Sequence, residues 1–554
     1  MKDCSQEVVY QIYPKSFQDT DDDGLGDLQG IIQHLDYLQT LGVTCIWLNP
    51  IYPSPQNDNG YDVTDYIAIN PDYGTMADFE QLVQESAKRG ISIMLDMVFN
   101  HTSTEHEWFK KALANDPHYK NYYIWKKSKN GQLPTNWPSK FGGPCWQYVE
   151  QFDEYYLHLF DPTQADLNLS NPDVRDELVK ILEFWLDKGV RGFRFDVINL
   201  IDKMSYEDSH GTEGKEYYTD GPKVGTYINE LYERALKEYD PMTVGEMSAT
   251  TIQKCAQYSN PKNNELTMCF NFHHLKVDYF NKEKWTLMPF DFQELKSLFN
   301  AWDVEMEKEG GWNALFWNCH DQPRSLSRFG DPVHYPKESA KMLAAINFTR
   351  RGTPYIHYGE EIGMTNLNTH SITEYRDVES LNAAKMLKEK GYSEQEILDI
   401  LHAKSRDNGR IPMQWNNTKN GGFSTVEPWL ESNDNLDTVN VKSCLEDPDS
   451  IFYYYQKLIQ LKKKNLALRY GTTITELVEN PSLYAYRRVL DAKDPHNPTG
   501  KEEEILCIHN FYDKEANCTL NLNGYTRVLS NYEDFDASKT TLRPYESLIL
   551  KRQN

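Results

Sequence analysis

The chain has 554 residues, a net charge of -25 and nine cysteines. That length can bury a large core and predicts more than one domain. The acidic balance argues against binding nucleic acid or an anionic membrane, no apolar run reaches membrane-spanning length, and MKDCSQEVVY lacks the basic and apolar regions of a signal peptide.

The first apolar, β-rich run is EVVYQIYPKSF, residues 7–17. DTDDDGLGD comes immediately after it, with acids at alternate positions that suit a hard cation. Asp19, Asp21, Asp23 and Asp27, with the carbonyl of Leu25, are candidate ligands for a structural Ca²⁺. A solvated acidic turn is the alternative, and Mg²⁺ is a lesser choice. The second and third runs are GVTCIWLNPIY and ISIMLDMVFNH.

A long, aromatic insertion then covers residues 101–170, too long to be structureless. It reads as a small capping domain. DVRDELVKILEFWLDK, residues 173–188, has helical spacing of its apolar residues. The remaining runs are VRGFRFDVINL, MTVGEM, LTMCFNF, ALFWNCHD and TPYIHYGEE. Eight runs alternating with helical segments predict an α/β fold, a (β/α)8 TIM barrel whose site lies at the C-terminal strand ends, with the insertion over its mouth. Residues 1–100 and 171–476 would form the barrel, and 477–554 a C-terminal all-β sandwich. The sandwich rests on the alternating segments SLYAYRRVL, EEILCIHNFY, CTLNLNG and YESLILKR.

Asp196, Glu246 and Asp321 each close one of these runs, in strands four, five and seven. Three carboxylates at parallel strand ends can converge, as cleavage of a sugar–sugar bond requires. Arg194, two residues before Asp196, shares its strand face and would hold that carboxylate ionised. Glu246 needs a raised pKa to donate a proton, and Gly245 before it would leave room for substrate to approach the backbone. His320 and Asp321 could together grip sugar hydroxyls. Each acid alone could be an ordinary core or surface carboxylate; the set of three is what points to catalysis.

With these motifs in hand, the chain resembles the α-amylase superfamily of retaining α-glycosidases over nearly its whole length. DMVFNH carries Asp96 and His101, GFRFD and VGEM come next, HD is the seventh-strand motif, and QADLN (Gln164–Asn168) ends the inserted domain. The resemblance implies Asp196 as nucleophile, Glu246 as general acid/base and Asp321 as transition-state stabiliser. It also implies that Asp58 and Tyr61 in NDNGYDVTDY hold the non-reducing glucose, and that Arg406 pairs with Asp58 to close the pocket and enforce exo-action. No organic cofactor is expected.

Val197, directly after Asp196, fits the enzymes of short α-glucosides: oligo-1,6-glucosidases, dextran glucosidases and trehalose-6-phosphate hydrolases. HHLKVDY, YYTDGPKV, GGWNALFW and YRDVESLN resemble the last group. A phosphate on the leaving glucose needs cations and donors, which Lys276, Lys284 and His273 could supply; a solvated rim charge is the plainer reading of Lys276. The partner implied is a small phosphorylated disaccharide, with a monomeric, cytoplasmic enzyme. The scattered cysteines, without a CxxC pair, fit a reducing compartment, and a glycan at the Asn100-His101-Thr102 sequon would block the site. An α-1,6-glucosidase is the alternative; a sucrose isomerase or transglycosylase, or a non-catalytic relative, is further off. Cys319, His357, Tyr358, Ile411 and the GGPCW segment depart from the family's commoner residues, and Cys319 bears on how His320 is held.

Overall fold

A computed structural model describes residues 2–534 and 540–553. Eight parallel strands form one sheet: Val9–Ile12, Cys45–Leu48, Ser92–Met97, Gly192–Phe195, Met242–Met247, Met268–Asn271, Ala314–Leu315 and Thr353–His357. Neighbours in sequence are neighbours in space, and the first strand pairs with the eighth through Val9 opposite Tyr355. A parallel bridge between Cys269 and Asn313 joins the sixth strand to the seventh and closes the cylinder. The strand residues are almost all buried, because helices cover the outside and side chains fill the inside.

Helix Pro172–Asp187 shows why the coverings form. Asn171 caps it by accepting from the Asp173 N–H at 3.0 Å, Pro172 sits in its first turn, and Val174, Leu178, Ile181, Leu182 and Trp185 form its buried stripe.

The insertion leaves after the third strand and returns antiparallel, His101–Ser103 pairing with Gln164–Asp166. Within it, Trp125–Lys126, Glu154–Leu157 and Trp146–Val149 make a three-stranded sheet. Buried Lys203 staples it to the barrel, donating to Asp166 at 2.8 Å and to the Asn100 side-chain oxygen at 2.7 Å. Asn100 is fully buried, which leaves no room for a glycan on it.

Beyond the eighth strand, helices Val378–Glu389 and Glu394–Lys404 form a hairpin with its own apolar cluster around Leu387, Ile397 and Leu401. The C-terminal antiparallel sheet has the order Thr472–Glu476, Leu483–Leu490, Glu503–Asn510, Ser547–Arg552, Tyr525–Ser530. It is joined by a two-stranded sheet of Ala516–Asn517 and Thr541–Leu542. The sheet therefore starts at Thr472, ahead of the expected 477, because TTITE pairs with Leu483–Leu490 while Thr472 donates to Glu307 of a barrel helix at 2.7 Å. Among the described residues no helix is long and apolar enough to cross a membrane.

Candidate active site

The strand register puts Asp96 directly opposite Arg194. Arg194 is 1% exposed and is the hub of the site. One Nη donates to Asp96 and to Asp196, both at 2.7 Å, and the other pairs with Glu246. One guanidinium thus fixes the carboxyls of strands three, four and five relative to each other. Asp96 is held further by Tyr61, whose hydroxyl donates at 2.9 Å, and by the Trp47 indole at 3.2 Å.

Directly after Asp196 the chain turns through Val197 at φ 35°, ψ 39°. A β-branched residue in the left-handed region costs on the order of 1–3 kcal/mol, and such cost persists where the surroundings fix the chain. Here it turns the backbone sharply off the fourth strand, leaving Asp196 at its tip.

Gly245 does something other than expected. A Cβ there would lie 2.5 Å from Leu266 and 2.4 Å from Met247, so the glycine serves packing behind the strand and faces away from substrate. Period-two alternation explains the error: if Glu246 faces the cleft, its neighbour cannot.

Asp321 is bound by cations on a different side. Arg406 and Arg410 each donate to its Oδ1 at 3.2 Å, and His320 Nε2 lies 3.2 Å from its Oδ2. Burial lowers His320 to a pKa of about 3, so it is neutral. Against burial, His320, which is protonated in the acid range where Asp321 would titrate, and then Arg406 and Arg410 hold Asp321 well below the usual carboxylate range; at neutral pH the guanidiniums are the cations that face it. His320 stays in place despite Cys319. Its Nδ1 meets the Gln11 amide at 2.9 Å, Gln11 meets His357 at 3.0 Å, and its ring stacks on Tyr61.

The other acids go the opposite way. Burial pushes Asp196 up to about 7, with Arg194 opposing and Asp96 and Asp321 adding to the rise. Burial likewise pushes Glu246 up to about 8, again against Arg194. Glu246 thus stays protonated near neutrality while Asp196 begins to ionise, the division that an acid and a nucleophile need.

Arg406 also closes one end of the cleft. It donates to Asp58 at 3.0 Å, is anchored by Asp377 at 2.8 Å, and lies under the Phe141 ring of the insertion. The Gln164 amide donates to Asp58 from the other side at 3.0 Å. Asp58, Tyr61, His101, Asp196, Glu246, Asp321 and Arg406 all line one cavity of about 300 Å³. Arg194 and His320, expected to bind substrate, are absent from its lining; they lie beneath and act on the acids.

The expected phosphate ligands separate. Lys276 and Lys284 line the cavity. Lys284 already pairs with Glu379 at 2.6 Å. His273 does not line it: its ring packs 5.3 Å from Trp302, on the side of the next helix. Three of the expected cation ligands converge, Asp19, Asp21 and Asp27 each offering an oxygen within 4.8 Å of the others. Asp23 is outside that group and instead accepts from the Leu25 N–H at 2.7 Å.

Sequence reasoning missed Lys140, Phe141, Asp377 and Glu379. All four come from the insertion or the late helical hairpin, and Asn382 of the hairpin reaches the Phe141 carbonyl at 3.0 Å. The one available signal was YRDVESLN, which contains Asp377 and Glu379.

Comparison with known proteins agrees with this geometry. Residues 11–471 match the family model for the alpha amylase catalytic domain. The trehalose-6-phosphate hydrolase of Bacillus subtilis (strain 168) is 50% identical, over 98% of this chain and 97% of its own. That of Escherichia coli (strain K12) is 53% identical over 87% of each. The crystal structure of Bacillus licheniformis trehalose-6-phosphate hydrolase superposes with a TM-score of 0.94 at 49% identity, covering 99% of both chains. With three carboxylates at the mouth of a closed parallel barrel, this chain belongs to the alpha-amylase family of glycoside hydrolases.

Proposed function

We propose that this enzyme is a retaining exo-α-glucosidase that hydrolyses trehalose 6-phosphate to glucose and glucose 6-phosphate. The observation that carries the reading is a single cavity. It is shut at one end by the Asp58–Arg406 pair, and Asp196, Glu246 and Lys276 all stand in its wall.

A terminal glucose enters with its non-reducing end against Asp58 and Arg406. Asp196 attacks the anomeric carbon while Glu246 protonates the glycosidic oxygen, and glucose 6-phosphate departs. The β-glucosyl enzyme is then opened by water, which Glu246, now ionised, deprotonates. Two inversions release α-glucose. Asp321, kept ionised by Arg406 and Arg410, holds the sugar's hydroxyls as the ring flattens and positive charge builds at the anomeric carbon.

The phosphate requirement separates this reading from an oligo-1,6-glucosidase. Neutral isomaltose offers Lys276 only hydroxyl oxygens, whereas a phosphate offers a dianion and charge-assisted hydrogen bonds. A phosphorylated substrate, together with nine free cysteines, favours an enzyme working in the cytoplasm.

A structural Ca²⁺ held by Asp19, Asp21 and Asp27, with the Leu25 carbonyl, belongs to the same proposal. The donor set is all hard oxygen. Burial and mutual repulsion raise the pKa of Asp21 and burial raises that of Asp27, a penalty that a divalent cation would lift. The ion would stiffen the loop after the first strand, where Asp19 also accepts from the Ser424 hydroxyl at 2.6 Å, away from the chemistry.

The test is glucose release from trehalose 6-phosphate, trehalose and isomaltose at equal enzyme. Strong preference for the phosphorylated sugar, with glucose 6-phosphate as co-product, is expected. Preference for isomaltose would replace this reading with the α-1,6-glucosidase.

A further inference from the structure

Next to the catalytic cavity lies a wider basin of about 870 Å³. Lys140 and Lys276 line both, and Lys215 lines the basin. The three come from distant parts of the chain. Lys140 sits in the insertion, its backbone N–H fixed to the Leu159 carbonyl at 2.8 Å. Lys215 begins the short helix Lys215–Tyr218 in the segment after the fourth strand. Lys276 comes directly after the turn His273–Leu275, beyond the sixth strand.

Their charges are poorly matched. Half-buried Lys140 has the Ser248 hydroxyl at 3.4 Å and the Tyr218 ring at 5.3 Å, and among the described residues no carboxylate within ion-pair reach. Lys276 likewise has no ion pair among the described residues. Lys215 pairs with Glu213 at 2.6 Å, but both side chains are open to solvent, at 40% and 61% exposure. Such a pair is worth little and is easily exchanged. Glu379, which also lines the basin, is already taken by Lys284 at 2.6 Å and lies 3.5 Å from Arg406. Burial and then the neighbouring Lys215 and Lys276 depress Lys140 to about 8, which marks a cation short of an anion.

Under-paired ammonium groups crowded together in a chain of net charge -25 call for an anionic ligand. Lys140 and Glu246 line the same cavity, and Ser248, two residues past Glu246, lies 3.4 Å from the Lys140 ammonium, so the basin adjoins the acid that protonates the leaving oxygen. We propose that Lys140 and Lys215 join Lys276 in cradling the phosphate of the leaving glucose 6-phosphate, so that the insertion itself reads the substrate. This rests on the phosphorylated-substrate reading given above. Each ammonium brings up to three donors, and together they balance a dianion with charge to spare. Lys284, neutralised by Glu379, is left to shape the rim.

The experiment compares kcat/KM on trehalose 6-phosphate and on p-nitrophenyl α-glucoside, which has no phosphate, for the wild type and for Lys140→Met, Lys215→Met, Lys140→Arg and Lys215→Arg. Each methionine variant should lower the ratio of the two by about tenfold or more, mainly through KM, as loss of a charge-assisted hydrogen bond predicts. Inhibition by added glucose 6-phosphate should weaken in parallel, and the arginine variants should keep most of the ratio. An unchanged ratio in both methionine variants, or equal loss on the two substrates, would overturn the cradle and leave the substrate assignment standing. A wild type without preference for the phosphorylated sugar would instead overturn the substrate assignment itself.

Discussion

The floor of the cleft and its mouth solve opposite electrostatic problems. On the floor Arg194 is shared by Asp96, Asp196 and Glu246, so negative charge outnumbers positive and protons must make up the difference. At the mouth Lys140 and Lys276 have no carboxylate partner among the described residues, so their positive charge is left unmatched. The floor is built on strand ends locked by ladder registers, the mouth on loops and a short helix. Chemistry common to a whole family can be kept on the rigid part, while substrate choice is made on the part free to vary.

The comparison can be broken first at the floor. Asp196→Ala should cut turnover of every substrate by about 10⁴-fold or more, as loss of a nucleophile does. A purified Asp196→Ala protein that still turned over trehalose 6-phosphate at a substantial fraction of wild type would remove Asp196 from its role.

The proton excess gives the second test. Activity requires Asp196 ionised and Glu246 protonated, so it should fall below about 7 as Asp196 gains its proton and above about 8 as Glu246 loses its own. The bell should be narrow, with each flank dropping about tenfold per pH unit. A flat profile of kcat/KM from about pH 6 to 9 would mean that the charges on the floor are arranged differently.

The mouth answers to a smaller change. Lys276→Ala should raise KM for trehalose 6-phosphate roughly tenfold while losing much less on p-nitrophenyl α-glucoside. Equal losses on the two would make Lys276 a structural residue. Smallest of all, chelation with EDTA should lower the melting temperature by about a few degrees and leave kcat nearly unchanged, since the acidic loop lies apart from both regions. No shift on chelation, with no recovery on adding Ca²⁺, would leave Asp19, Asp21 and Asp27 as an acidic turn held by its own hydrogen bonds and no ion.

The same division explains what was legible in the sequence. Asp196, Glu246 and Asp321 stand at the ends of apolar runs whose period and length mark them as strands, and Arg194 is found by alternation. Lys140 lies in a loop and Lys215 starts a helix of four residues, too short for a period to tie a residue to a face. The hairpin bearing Asp377 and Glu379 is helical, but nothing in its spacing says that it folds back over the barrel mouth. His273 was misplaced because the sixth run gives way to a turn rather than continuing as a strand, and one step along that turn moves a side chain from the cleft to the helix behind it. Gly245 was misread for want of applying to it the alternation that located Glu246.

Asp58 and Arg406 seal the pocket behind the terminal glucose, so the way out lies toward the leaving sugar. Glucose left behind after the first half of the reaction sits at the dead end, and glucose 6-phosphate stands between it and the outside. Departure is therefore first-in, last-out: the phosphorylated product has to clear the doorway before water can finish the cycle and the sugar can escape. Glucose 6-phosphate that lingers at that threshold would act as a brake on the enzyme that makes it.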